Sequence, residues 1–194
     1  MSAGAKWSVL LVCLAVPIAL SLTSPLLQWR DMIYIISALA GVIAMSSILL
    51  QAVAMTGLLP LDQARARRVH RFGGMSLCAL VVVHVGGLWL TSPPDVIDAL
   101  TFKSPTPFAP WGVVAMWAVL GSALIAVLRS RTLLRWRAWR RAHLVFASVI
   151  VVGTIVHAVL ILGTMEPVSK YGLSVLVFAA FALAVRRSLC RHGV

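Results

Sequence analysis

Apolar residues run through this chain in long unbroken blocks, without the strict alternation of a half-buried strand or the single stripe of a soluble helix. Blocks able to cross a hydrocarbon core, which takes about 20 residues each, stand at Trp7 to Thr23, Met32 to Leu58, Phe72 to Leu90, Trp111 to Leu128, Leu144 to Leu162 and Tyr171 to Val185. Extended to their start and stop signals, they predict helices over 7–23, 32–58, 62–90, 111–128, 138–162 and 171–187. The last is short and the second long. Pro60-Leu61-Asp62 marks one entry point, because proline suits a first turn and an aspartate favours the positive end of a helix. The third helix then begins about two turns before His70. The pattern predicts an all-α integral membrane protein, a six-transmembrane-helix bundle forming a single domain over residues 1–194 with no appended soluble module.

Composition agrees. The chain is 61% hydrophobic with a mean hydropathy of +0.99 and only five acidic residues in 194, which excludes a soluble domain. A net charge of +12 raises the question of nucleic acid, but the basic residues follow the membrane instead. Assigning alternate loops to opposite sides places Lys6, Arg65, Arg67, Arg68, Arg71, Arg129, Arg131, Arg135, Arg137, Arg140, Arg141, Arg186, Arg187 and Arg191 together, against Arg30, Lys103 and Lys170. By the positive-inside rule the first set is cytoplasmic, as are both termini, in a multi-pass protein of the inner (plasma) membrane. The arginine runs read as topology and anionic-lipid contacts. No nucleic-acid partner is expected.

The first block lacks a convincing A-x-A site and is long for a signal-peptide core, so it reads as a retained helix. Cys13, Cys78 and Cys190 have no paired spacing and imply no disulfide framework. Tryptophans 7, 29, 89, 111, 136 and 139 sit near predicted helix ends, as headgroup anchors do; Trp117, inside a helix, is the exception. Methionines 45, 55, 75 and 116 show no pairing and read as packing residues. The one substantial loop, Thr91 to Pro110, carries five prolines and is expected to be irregular. Its Val96, Ile97, Leu100, Phe102 and Phe108 suit either a lid over the outer face or a segment dipping into the lipid interface.

Candidate chemistry lies in the histidines. His70 and His84 share the third segment, His143 and His157 the fifth, and each pair is fourteen positions apart. Fourteen residues are about 40° short of four full turns, so each pair lies on one helix face about 21 Å apart. Odd-numbered spans run parallel, so His70 can face His143 and His84 can face His157. That is the layout two stacked bis-histidine haems require. Ionisable residues inside membrane helices are costly and mark functional sites. Zinc would want more ligands at each level, and no embedded carboxylate is present for a proton relay. Without C-x-x-C-H, any haem is held non-covalently. Gly73, Gly74, Gly87 and Gly153 neighbour the histidines on the helical map and read either as room for a macrocycle or as ordinary helix contacts. Arg71, Arg140 and Arg141 are candidate partners for haem propionates. No catalytic residue is nominated.

Arg67-x-x-His70-x-x-x-Gly74 with His84, followed by Trp139-Arg140-x-x-His143 and His157, resembles the ferric reductase-like transmembrane domain family. That family also contains the NADPH oxidases and the haem-bearing membrane subunit of the periplasmic methionine sulfoxide reductase system. The resemblance implies a core of two b-type haems (haem b), the inner one on His70 and His143 and the outer one on His84 and His157. It implies electron transfer from a cytoplasmic reductant to an outer acceptor. Flavin and nicotinamide modules common in the family have no counterpart here, since the chain contains no G-x-G-x-x-G. The expected donor is therefore separate, a flavoprotein reductase or a membrane quinol. The acceptor stays open among a periplasmic redox protein, a ferric chelate and oxygen. Two alternatives stand beside this reading: a quinol-linked cytochrome b subunit of a larger respiratory complex, and a haem or metal transporter.

Overall fold

The computed structural model describes residues 1–129 and 135–190. Arg131 and Arg191 of the basic set lie outside the described residues. Within them the chain is helical: α1 (Ala3–Leu22), a 3-10 turn (Pro25–Leu27), α2 (Met32–Thr56), α3 (Gln63–Thr91), α4 (Pro93–Leu100), α5 (Ala109–Leu128), α6 (Trp136–Leu160) and α7 (Pro167–Cys190). All except α4 and the 3-10 turn are long and apolar enough to cross a membrane. The third and fifth spans of the sequence reading are thus α3 and α6.

Local chemistry sets the boundaries. Asp62 caps α3 by accepting the Arg65 amide at 2.7 Å, so the helix starts at Gln63 as its proline-leucine-aspartate entry predicts. The final helix is longer than hydropathy suggests, running 24 residues from Pro167. Pro167 occupies the first turn, and the Glu166 carboxylate accepts the amides of Val168 and Ser169 at 2.9 and 2.7 Å. Those hydrogen bonds, that of Ser169 first, hold the Glu166 carboxyl below its ordinary range. The proline-rich loop is also more regular than expected. Pro93 and Pro94 open α4, whose Val96 is buried, while Ile97 and Phe102 remain exposed.

Packing divides the bundle into two hairpins. α2 lies along α3, and α5 along α6; α7 closes chiefly against α2, with α1 on its other flank. α3 and α6 do not pack as a helix pair. In lipid no hydrophobic force draws helices together, so close approach depends on small side chains. The buried faces accordingly carry Ala40, Ala44, Ser37 and Ser46 on α2, and Ala115 and Ala118 on α5. Met45 on α2 and Leu173 and Val177 on α7 are among the most deeply buried side chains, and these two helices pack together. α2 ends at Gly57, whose φ of 71° is the left-handed closure that favours glycine. The Arg187 guanidinium of α7 covers that glycine and donates to the Thr56 carbonyl, tying the two helix ends together.

Candidate functional site

Three of the four site histidines are held by hydrogen bonds from within or just before their own hairpin. On α3, His84 Nδ1 lies 2.8 Å from the Ser37 carbonyl of α2. On α6, His157 Nδ1 lies 2.9 Å from the carbonyl of Phe108, the residue that precedes α5. A carbonyl only accepts, so both rings carry their proton on Nδ1 and turn an unprotonated Nε2 elsewhere. This is the arrangement by which a ligating imidazole is oriented and its tautomer fixed.

A glycine makes each approach possible. A Cβ on Gly41 would stand 3.0 Å from His84 Nδ1, and one on Gly112 only 2.6 Å from His157 Nδ1. Each glycine follows the accepting carbonyl by four residues, so the imidazole lies against the helix where a side chain would otherwise project. At Phe108 the carbonyl accepts twice, from His157 and from the Gly112 amide at 3.2 Å. His84 and His157 thus carry the same buttress on the two hairpins. Their level is called the far pair below, because the arginines gather at the opposite end.

At the arginine-side pair the buttresses are looser. The His70 and His143 rings stand 5.9 Å apart between centroids at an interplanar angle of 83°. His143 Nδ1 meets the Ser122 hydroxyl of α5 at 3.1 Å. His70 Nδ1 lies near the Gln51 backbone of α2 but forms no well-aligned hydrogen bond there. The α2 positions facing the two α3 histidines, Ser37 and Gln51, are themselves fourteen residues apart, and so are Phe108 and Ser122. The interval of the histidines is therefore repeated in both buttressing helices, as antiparallel pairing requires.

Trp139 stacks on His143 with centroids 5.3 Å apart and planes only 5° from parallel. Trp136 stacks in turn on Trp139 at 5.2 Å, and the Arg129 guanidinium lies 4.3 Å from the Trp139 ring centre and 4.6 Å from that of Trp136. Trp139 Nε1 is buried without a hydrogen-bond partner. Its ring packs against His143, Trp136 and the Arg129 guanidinium. Trp136, about half exposed, and the lipid-facing Trp117 keep their rings outward.

The nominated arginines divide. Arg140 spends one guanidinium nitrogen on the Ser188 carbonyl of α7 at 3.1 Å, joining α6 to α7. Arg71 is exposed, with its guanidinium 5.7 Å from the Phe72 ring centre, and Arg141 is also exposed. Three of the four nominated glycines face neighbouring helices closely. Gly73 receives Gln51, Gly87 receives Ser37, and Gly153 is covered by Ala115 and the Trp111 carbonyl; Gly74 stands at ordinary contact distance from Gln51. They are helix contacts, since every atom found close to them comes from α2 or α5. Sequence reasoning missed Gly41 and Gly112, and it missed Lys170. Expected in an outer loop, Lys170 is buried on α7 and donates to the Ile161 carbonyl at the end of α6, one turn beyond His157.

Among the described residues no three His, Cys, Asp or Glu side chains gather as a metal cage. Each level offers two imidazoles, so an ion held there must bring its remaining ligands with it. Imidazole–metal bonds of about 2 Å on either side, with ~1.1 Å from each nitrogen to its ring centre, ask for centroids roughly 6 Å apart. The 5.9 Å between His70 and His143 suits a planar tetradentate cofactor bound between two axial rings.

Six helices long and apolar enough to span define a polytopic membrane protein, in which His70 and His143 meet between α3 and α6 and His84 and His157 stand farther along the same two helices. The chain belongs to the family of the ferric reductase like transmembrane component, whose sequence profile matches residues 9–154. The matched stretch takes in His70, His84 and His143 and stops three residues before His157. No match was found among curated proteins or among solved structures. Family membership points to a membrane electron-transfer role, and domains of this family generally bind haem.

Proposed function

We propose that this protein is a b-type haem membrane cytochrome, with one haem between His70 and His143 and a second between His84 and His157. The observation that carries the reading is the far pair: two imidazoles, one on α3 and one on α6, each with Nδ1 bonded to a backbone carbonyl and Nε2 left as the donor atom. When bound, the two haems supply one-electron carriage between the arginine-rich end and the far end. α3 and α6 hold the axial rings, while α2 and α5 fix their orientation. Because α3 and α6 meet through side chains and not as a packed pair, a flat cofactor can lie between them.

The arginine-rich end faces the cytoplasm in this reading, by the positive-inside rule. Arg71 and Arg141, exposed beside the arginine-side pair, are free to meet haem propionates or an acidic donor surface. The donor is a cytoplasmic flavoprotein reductase or a membrane quinol, and the acceptor at the far end a periplasmic redox protein, a ferric chelate or oxygen. Protein purified in detergent after haem-replete expression should give a reduced-minus-oxidised b-type spectrum with about two haems per chain. A spectrum without haem would overturn the proposal.

A further inference from the structure

Among the described residues two buried side-chain polar atoms lack a hydrogen-bond partner, and both lie at the same level: Nδ1 of His70 and Nε1 of Trp139. The far pair has no equivalent, since both its Nδ1 atoms are bonded. An indole nitrogen is a donor only, so what is missing at Trp139 is an acceptor. Buried donors are rarely left orphaned in a finished structure. The surroundings define the acceptor's charge. Arg129 lies over the Trp139 ring, and Arg140 and Arg141 follow it in the chain. An anionic oxygen is the partner this setting favours, and a charge-assisted bond is the strong form of such a contact.

The ring itself has a second task. At 5° from parallel, Trp139 fixes the plane of His143 from one face, while Ser122 holds its Nδ1. Trp136, Trp139 and His143 are spaced three and four residues apart, which places them in a row on one side of α6.

We infer that Trp139 belongs to the cofactor site at the arginine-side level: its indole N–H donates to a carboxylate of the group held by His70 and His143, and its ring sets the His143 plane. The inference rests on the haem reading above. Trp139 is a positioning residue for His143 and a binding residue for the carboxylate.

The test uses the full chain in detergent, as wild type and with His84→Ala to isolate the arginine-side haem. Trp139→Phe keeps a flat ring and removes the N–H. It should weaken haem binding at this level by about tenfold, the effect of losing a hydrogen bond to a charged group. It should also lower that haem's midpoint potential, because an undamped carboxylate charge disfavours the reduced state. Trp139→Leu, which removes the stack as well, should further shift the low-spin electron paramagnetic resonance signal that reports axial ring orientation. If Trp139→Phe leaves haem affinity and potential at parental values, the N–H is satisfied elsewhere, for example by a lipid phosphate, and the inference fails while the haem reading stands. An unchanged resonance signal in Trp139→Leu would overturn the ring-setting role. Wild-type protein that takes up no haem would sink both.

Discussion

The two histidine levels share a spacing and differ in how they are held. At the far level both rings are bonded to main-chain carbonyls, seated against glycines and backed by Lys170, which closes the end of α6. At the arginine side one ring leans on a serine hydroxyl and a tryptophan face, and the other has no aligned partner. The far level is fixed by backbone, which no side-chain substitution at the acceptor can remove. The arginine-side level is fixed by side chains, and adjustment there is local. The two levels can in this way be tuned separately on one scaffold.

The strongest challenge to this contrast is His84→Ala. It should remove the far haem and leave the arginine-side haem reducible, lowering bound haem from about two to about one per chain by pyridine haemochrome assay. Retention of both would show that the rings are paired wrongly. Next come the seats. Gly112→Ala would push a methyl to 2.6 Å from His157 Nδ1, against 3.0 Å for Gly41→Ala and His84. Overpacking of this kind costs about 1–3 kcal/mol. Thermal unfolding and far-haem occupancy should both fall, and fall further for Gly112→Ala. Equal effects would remove the proposed role of close seating.

Ser122→Ala probes the other level. Losing its contact with His143 should cost about 1 kcal/mol, with any spectral change confined to the arginine-side haem; a change in the far haem would show the levels are not independent. The smallest effect concerns the helix ends. α7 is capped by Glu166 whereas α6 starts at Arg135 without a side-chain cap. The folded-state Glu166 carboxyl titrates below its ordinary range. Its contribution is therefore present above the unfolded carboxylate range and is lost as pH falls through the depressed folded value. A slight acid-side loss of thermal stability, flattened in Glu166→Gln, is expected in a melting series across pH. An identical slope in both proteins would contradict it.

Much of this was legible in the sequence because membrane physics writes it in one dimension. Six apolar blocks give six spans, Asp62 gives the start of α3, and the fourteen-residue intervals put the histidines on matching faces. What escaped depends on contacts between helices. Ser37 and Phe108 act through their carbonyls, which carry no side-chain signature, and only the register of α2 on α3 and α5 on α6 brings them to the histidines. Gly41 and Gly112 were findable in principle, since a glycine in an apolar helix usually marks a close approach. Which ring approaches is a tertiary fact. Gly73, Gly87 and Gly153 stayed open between two readings for the same reason, because neighbourhood on a helical map does not say which partner fills the gap. Lys170 defied hydropathy by burying its charge against an open carbonyl.

The placement of every buttress within its own hairpin also bears on how the protein is made. α2 and α3 form one sequential insertion unit, and α5 and α6 another. Each carries two of the four histidines, and three of the four rings, all but His70, find their hydrogen-bond partner within or just before their own hairpin. The Arg187 clasp on Thr56, by contrast, joins α7 to α2 and can form only after the last span has been synthesised.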